Sequence, residues 1–209
     1  MKRISLPLLL LLSACVTPNV AVNPRADFSA VKRVAVMSFG GPNGELAADV
    51  MTQSLLARGA DVVERQRLNA VMEEQRLTAS TAFDPSTAKQ LGRLLGVDAI
   101  FVGTVGQSTP QASYLVSGAR DSRRTTVTQV SGGSVYSEGG VMGLPDSQIL
   151  STTANVSLVS RMVDVQTGAV LWAASMSYEG FDVSSAMNGI TEAFARSLAQ
   201  IWPELILQR

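Results

Sequence analysis

The chemistry open to this chain is limited by two residue types. Its 209 residues include no histidine and a single cysteine, Cys15. Without an imidazole or a second thiol, the sequence excludes a Ser-His-Asp triad, a Cys-His dyad, a disulfide and a metal site built from His or Cys. Catalysis would have to use carboxylates, lysine, tyrosine or a Ser-Lys pair. We therefore predict no catalytic residues, no metal site and no cofactor.

Acidic side chains are the strongest remaining candidates for catalysis, and they point to an undescribed carboxylate enzyme as one hypothesis. Glu64, Asp98 and Asp164 each fall at the end of a predicted strand or in a turn, where capping of backbone N–H groups accounts for an acidic residue. Glu73 and Glu74 are neighbours on a predicted helix, so their side chains point ~100° apart and do not converge on one substrate. We favour structural roles for all of these residues.

Cys15 closes a segment with the features of a secretory signal. Two basic residues and an apolar run from Ile4 to Leu12 precede it, and the segment ends in Leu-Ser-Ala-Cys. A basic start, a short apolar run and small residues before a cleavage point are typical of a signal peptide. The run is much shorter than the ~20 apolar residues that span a bilayer as a helix. Residues 1–14 are therefore predicted to be removed.

The sequence Leu-Ser-Ala-Cys resembles the lipobox of bacterial lipoproteins. This resemblance implies lipidation of Cys15, which becomes the first residue of the mature chain and anchors it to a membrane through its acyl chains. Val16 stands where an aspartate would retain an enterobacterial lipoprotein in the inner membrane. The resemblance thus implies an outer-membrane lipoprotein that faces the periplasm. The alternative is a free or buried cysteine that follows an apolar run by coincidence.

The length and net charge of the rest of the chain limit the number of its domains and the class of its partners. Removal of residues 1–14 leaves 195 residues, enough for one domain, with a net charge of −2. Nothing in this charge pattern indicates a nucleic-acid partner. Residues 15–30 contain two prolines and two asparagines and no clear period. They are predicted to form a lipidated, extended tether that spans at most ~50 Å.

Residues 31–209 are predicted to form one α/β domain. Apolar periodicity predicts strands over 31–39, 60–63, 97–105, 153–165 and 169–178, and helices over 45–57, 64–75, 85–95 and 184–202. The run from Val97 to Val105 is the most apolar strand and should lie at the centre of the sheet. The glycines between Gly40 and Gly44 fit neither common phosphate-binding motif, so a plain turn is predicted there.

Residues 106–152 differ in composition from the rest of the domain. The segment is rich in Ser, Thr and Gly, and most of it has no sustained period. A long stretch without clear elements inside a compact domain is usually functional or disordered. We predict a flexible or hairpin insertion and regard it as the candidate working surface. The alternative is a surface loop that binds no partner.

Four segments, in their order along the chain, resemble a known family: 33–39, 63–68, 88–103 and 163–172. Together with the lipobox, they resemble the CsgG family of outer-membrane lipoproteins, which includes the curli secretion channel and its holdfast-anchoring relatives. The resemblance implies an anticodon-binding-like periplasmic domain with a mixed sheet flanked by helices. It also implies a homo-oligomer that binds other proteins and is not an enzyme.

One region departs from the pattern of the channel proteins, whose subunits each add two membrane hairpins. The second hairpin would interrupt the chain between Trp172 and the last helix, where too few residues lie to form it. The predicted function is a non-enzymatic component of a secretion or surface-structure assembly system that acts by oligomerisation and by binding exported or envelope proteins. The alternative is an LpoB-like lipoprotein that activates a peptidoglycan synthase and is a monomer with a long tether.

Overall fold

The computed structural model describes residues 17–63, 70, 73, 85–118, 125–130 and 147–205. The predicted signal peptide, Cys15, Glu64 and most of the predicted helix over 64–75 lie outside these residues. Within the described part, the elements follow one another in this order: β1 (Asn19–Val22), a 3-10 helix (Phe28–Ala30), β2 (Arg33–Val36), α1 (Gly44–Leu56), β3 (Asp61–Val63), α2 (Pro85–Leu95), β4 (Ala99–Thr109), β5 (Ser113–Gly118), β6 (Thr125–Val130), β7 (Ser147–Ser151), β8 (Ala154–Asp164), β9 (Val170–Gly180) and α3 (Val183–Leu198).

Six strands form one mixed sheet in the order β1-β9-β8-β4-β2-β3. β2 pairs in parallel with β3 and β4, whereas β4, β8, β9 and β1 pair antiparallel in turn. The predicted α/β class and the predicted hairpin of β8 and β9 are therefore confirmed. β4 lies inside the sheet, as its apolar sequence predicts.

The core lies on both faces of β4. Phe101 and Val105 point to the face covered by α1 and α3, and Ile100 and Val102 point to the face covered by α2. This alternation follows from the two-residue period of a strand, and burial on both faces explains the continuous apolar run. On the α3 side, Phe101 contacts two tryptophan rings with centroids 6.3 and 6.4 Å away.

The glycine-rich turn after β2 packs directly on β4. Gly40 donates its N–H to the carbonyl of Gly103 at 2.9 Å and accepts from Val105 N–H at 2.8 Å. Gly41 has a positive φ of 85°, and a side chain there would overlap the carbonyl oxygen of Val105. The turn therefore packs closely against the backbone of β4.

The N-terminal segment differs from the predicted tether of residues 15–30. Asn19–Val22 form an edge strand paired with β9, and Phe28 is buried in the main core. Val20 and Val22 have the alternation of a short strand, but four residues are too few to distinguish from a linker by pattern alone. The folded domain thus begins near Asn19, and any free linker is confined to the few residues ahead of it.

The insertion between β4 and β8 contains a second sheet. β4 continues past its predicted end at Val105 to Thr109, with an irregular register near Gly106. β5 pairs antiparallel with both β6 and β7, which gives a three-stranded sheet in the order β6-β5-β7. The hairpin of β5 and β6 agrees with the hairpin form of the insertion.

Candidate functional site

Asp98, a candidate for carboxylate chemistry, holds the start of β2. Its carboxylate accepts hydrogen bonds from the backbone N–H groups of Lys32 and Arg33 at 2.8 and 3.0 Å. Its own N–H donates to the carbonyl of Arg33 at 2.8 Å. These contacts hold the start of β2 in parallel pairing with β4. Asp98 therefore has a structural role of the kind that its position at a strand end predicts.

Asp164 organises the turn between β8 and β9. One carboxylate oxygen accepts from the N–H groups of Gln166 and Thr167, at 3.0 and 2.6 Å, and from the Thr167 hydroxyl at 2.6 Å. This is the Asx-turn chemistry by which aspartate favours turns. Although Asp164 pairs with Ala99, next to Asp98, the two carboxylates bind separate backbone groups. The structure does not bring them together as a catalytic pair.

A shallow cavity of about 460 Å³ lies beside Asp98, between α2 and the turn after β8. Lys89 and Arg93 reach its rim and are exposed. Within the described ranges, no group of three His, Cys, Asp or Glu side chains could hold a metal ion. The cavity provides exposed positive charge and no arranged set of reacting groups.

The second candidate surface is the end of the main sheet where β4 ends and β8 begins, which we call the extension end. Thr109, Ala154 and Gly180 mark it, because Thr109 pairs with Asn155, and Ala154 with Gly180. Beyond it, Thr152 N–H donates to the carbonyl of Ala112, and Ala112 N–H donates to the Thr152 hydroxyl, both at 2.8 Å. This two-residue neck leads into the sheet of β5, β6 and β7. The predicted working surface thus projects from one end of the domain.

Phe181 lies at the same end, and sequence reasoning did not single it out. It is 89% exposed, and it is followed by the cap of α3. The signal that could have found it is its position: a phenylalanine between Gly180 and a capping Asp182 fits neither the alternation of β9 nor the buried face of α3.

The turn around Phe181 is firmly held. Asp182 accepts from Ser185 N–H at 2.6 Å, while the Ser185 hydroxyl lies 3.0 Å from Asp182 N–H, which completes a capping box. These hydrogen bonds, first the one from the Ser185 backbone, lower the pKa of Asp182 below its ordinary value. A Cβ atom at Gly180 would lie 2.6 Å from the backbone nitrogen of Ala186, so the turn also packs closely on α3. Phe181 is thus presented by an ordered turn.

The chain enters the domain toward the extension end. Asn19 pairs with Ser175 and Val22 with Trp172, so β1 runs antiparallel to β9. Thr17, two residues before Asn19, therefore lies on the side toward which β9 continues to Gly180. Cys15, the predicted lipidation site, lies four positions before Asn19, outside the described residues. No helix in the described part has the length and apolar character needed to cross a membrane.

Three solved structures are similar to this chain. The PelC dodecamer from Paraburkholderia phytofirmans is similar at 18% identity over 92% of this chain and 99% of that chain, with a TM-score of 0.45. Lipoprotein GNA1162 from Neisseria meningitidis is 16% identical over 80% and 95% of the two chains, with a TM-score of 0.44. The LpoB C-terminal domain from Salmonella enterica is 14% identical over 72% and 84%, with a TM-score of 0.40.

No curated protein sequence matches the chain. A family model does match, over residues 16–194, and this span includes β1, the main sheet, the insertion and most of α3. The model is that of CsgG, described as the curli production assembly/transport component. On the strength of a match that covers most of its length, the chain belongs to the CsgG family.

Proposed function

We propose that this chain is an outer-membrane lipoprotein that serves a secretion or surface-structure assembly system without catalysing a reaction. The observation that carries the proposal is the family match over residues 16–194, which begins directly after the lipobox cysteine. In this proposal Cys15 is lipidated, the domain faces the periplasm, and the chain acts by contact with copies of itself and with exported or envelope proteins.

The roles of the acidic residues support a function by contact. Asp98 and Asp164 both accept hydrogen bonds from backbone N–H groups, at a strand start and in a turn. Their contacts explain their presence without a reaction. The features of the described residues that these contacts do not explain are exposed surfaces.

Part of one face of the sheet is not covered by the helices of the described residues, and this supports self-association. α1 and α3 cover one face, whereas α2 covers only the part of the other face near β2 and β4. The remaining surface on β8 and β9 includes Ser157, Val159 and Ser175, and Val159 is 48% exposed. An exposed valine between two serines leaves this part of the sheet accessible to another protein surface.

The short distance between lipid and domain argues against the alternative of a long-tethered synthase activator. Cys15 lies four residues before Asn19, which is fixed in the sheet, so the domain begins at most ~14 Å from the lipidated residue. A domain held so close to its membrane acts on partners at that membrane.

The proposal is tested by Cys15→Ser in the full-length chain, expressed in a Gram-negative host with labelled palmitate. We expect the wild-type chain to take up label and partition into the detergent phase of Triton X-114, and the variant to lose both properties. Native mass of the wild-type lipoprotein in mild detergent should then give several subunits. Labelling or partitioning that survives the substitution would refute the anchor, and a monomer would favour the synthase-activator alternative.

A further inference from the structure

One edge of the main sheet is unpaired along β1. β1 is the last strand in the sheet order, and within the described residues no strand pairs with its outer side. Asn23 N–H donates to the carbonyl of Leu171 at 2.9 Å, which fixes the hydrogen-bonding pattern between β1 and β9. Hydrogen-bonded and non-hydrogen-bonded pairs alternate along an antiparallel ladder. The backbone N–H and C=O groups of Val20 and Val22 therefore point away from β9, toward the open edge.

The side chains of the same two valines line a groove beside this edge. The groove has a volume of about 280 Å³, and Ala193 and Ile201 line its opposite side. Val22 is 41% exposed, so its side chain remains available for further packing. Edge strands are usually protected by charged side chains or bulges, whereas Asn19–Val22 carry no charge.

A basic side chain also lines the groove. Arg196 is 58% exposed, and its guanidinium lies 4.0 Å from the carboxylate of Glu192, which the buried Arg58 contacts as well. None of the described residues that line the groove is acidic. Arg196 can therefore bind a second carboxylate, and charge complementarity favours an acidic group on the segment that fills the groove.

Together these features define the chemistry of a partner. Outward backbone groups two residues apart are recognised by another extended backbone, which offers matching groups at the same spacing. A groove on one face of the strand accepts every second side chain of that backbone. β1 has only four residues and lies between Pro18 and Pro24, so the ladder is short and the side chains in the groove must add to the affinity.

We propose that an extended, unfolded segment of another protein adds to β1 as a seventh strand of the main sheet. It runs antiparallel to β1, since this pairing is the more stable per residue. Its alternate apolar side chains enter the groove, and an acidic side chain on the same face pairs with Arg196. This inference rests on the proposed function, in which the chain acts by contact with other proteins, and it names the class of segment that is bound.

Peptide binding to the full-length lipoprotein in mild detergent tests the added strand. The probe is fluorescein-labelled Thr-Glu-Thr-Val-Thr-Val-Thr-Glu-Thr, in which valines and glutamates share one face, and fluorescence anisotropy measures its binding. In antiparallel addition the N–H groups of the two valines point to β1. We expect N-methylation of both valines to weaken binding at least about tenfold, and N-methylation of two threonines to have little effect. Equal binding of the two methylated peptides would overturn strand addition.

A substitution in β1 tests the same hydrogen bonds from the other side. Val22→Pro removes an outward N–H but keeps the pairing with β9, because proline is tolerated where the N–H of an edge strand faces solvent. Val22→Thr is the matched control, since it keeps the N–H and the branched shape. We expect the probe to bind about tenfold more weakly to Val22→Pro than to Val22→Thr. Equal affinities for two variants with the same melting temperature would contradict the ladder.

Charge reversal tests the acidic contact. Arg196→Glu should weaken binding of the probe about tenfold, and a peptide with lysine in place of both glutamates should restore it. Arg93→Glu, which reverses an exposed arginine on α2, is the control and should leave the binding of both peptides unchanged. Failure of the lysine peptide to restore binding would overturn the pairing with Arg196.

The native mass in detergent distinguishes the occupants of the edge. If Val22→Pro lowers the number of subunits in the absence of peptide, a second copy of the chain covers β1 and the proposal is overturned. A lipidated oligomer that does not bind the probe refutes this inference alone. A monomer without lipid that binds the probe with the expected effects of the variants refutes the proposed function alone.

Discussion

At the scale of single residues, the two tryptophans of the main core differ in one hydrogen bond. Trp202 donates its indole N–H to the carbonyl of Val31 at 2.9 Å. Trp172 is equally buried, and its indole nitrogen has no hydrogen-bond partner within the described part of the chain. A buried donor without an acceptor costs stability, whereas a satisfied one contributes to it.

This difference predicts unequal effects of the same substitution. Trp202→Phe and Trp172→Phe remove the same volume, but only the first breaks a hydrogen bond and leaves the carbonyl of Val31 unpaired. We expect Trp202→Phe to lower the free energy of unfolding by about 1 kcal/mol more than Trp172→Phe. Urea unfolding followed by circular dichroism measures both. Equal losses would show that the indole of Trp172 has an acceptor in solution, such as water.

Two ion pairs permit a second matched test. Arg58 lies two residues after the end of α1 and contacts Glu192 of α3. The arginine side chain is only 3% exposed. Lys32 contacts Glu204, and the lysine side chain is 63% exposed. Burial decides the energetics, because a cation that stays buried after it loses its partner is not solvated by water.

We therefore expect Glu192→Ala to lower the free energy of unfolding by about 2–3 kcal/mol, since it leaves the Arg58 guanidinium buried without its carboxylate. Glu204→Ala should cost less than about 1 kcal/mol, because Lys32 is solvated. Chemical denaturation of the two variants gives the comparison. A similar loss in both would mean that Arg58 moves to solvent when its partner is removed.

At the scale of elements, the N-terminal cap of α3 is the clearest agreement between sequence and structure. The sequence offers Asp182 or Ser184 as the cap of the predicted helix over 184–202, and the structure selects Asp182, which exchanges hydrogen bonds with Ser185. Cap chemistry is local, because all of the contacting atoms lie within four residues of one another. A sequence pattern can therefore identify it.

The cap also predicts a pH dependence. The pKa of Asp182 is lowered from 3.8 in the folded chain, mainly by the hydrogen bond from Ser185 N–H. A lowered folded pKa means that the charged cap stabilises the fold above pH 3.8 and that this stabilisation is lost as the pH falls below it. Asp182→Asn keeps a capping oxygen but does not titrate.

Melting temperatures of the wild type and Asp182→Asn, measured from pH 7 down to the acid limit of folding, test this expectation. The wild type should melt higher at neutral pH, and its advantage should shrink below the ordinary aspartate pKa. The other carboxylates are common to both chains and cancel in the difference. A constant difference at all pH values would contradict the role of the ionised cap.

β1 shows where local pattern fails at the scale of elements. Pro18 directly precedes its four residues and Asn23 and Pro24 follow them, so the sequence resembles a linker. The strand exists because β9 offers an unpaired edge, and the pairing partners are more than 140 residues apart in the chain. A short segment that gains its structure from a distant partner carries little local signal.

At the scale of the whole molecule, the domain consists of a main sheet and a smaller sheet joined by a neck. β5, β6 and β7 pair with one another and not with the main sheet. Ala112 and Thr152 are hydrogen-bonded neighbours, so the chain returns to the place from which it left.

This arrangement predicts that the insertion can be removed without unfolding the domain. Replacing residues 113–151 with an Asn-Gly turn between Ala112 and Thr152 should leave β4 and β8 as a hairpin, with a melting temperature within about 5 °C of the full-length chain. Calorimetry of both lipoproteins in detergent measures this. Loss of the cooperative transition would show that the two sheets stabilise each other.

The same deletion tests the role of the insertion as the working surface. If the insertion contacts partners or other copies of the chain, the folded deletion variant should lose its native oligomer or its ability to support export. If both are unchanged while the domain remains folded, the insertion is a surface loop without a partner.

The sequence alone determined which residue types this chain lacks, the resemblance of Leu-Ser-Ala-Cys to a lipobox, the α/β class and the central position of β4. Each of these follows from residue types or from contacts between near neighbours. Only the tertiary structure decided that residues 19–22 belong to the sheet, that 106–152 contain a second sheet, and that Phe181 and the chain entry share one end of the molecule. These features depend on pairings between distant segments, whose energies come from the assembled sheet rather than from any local period.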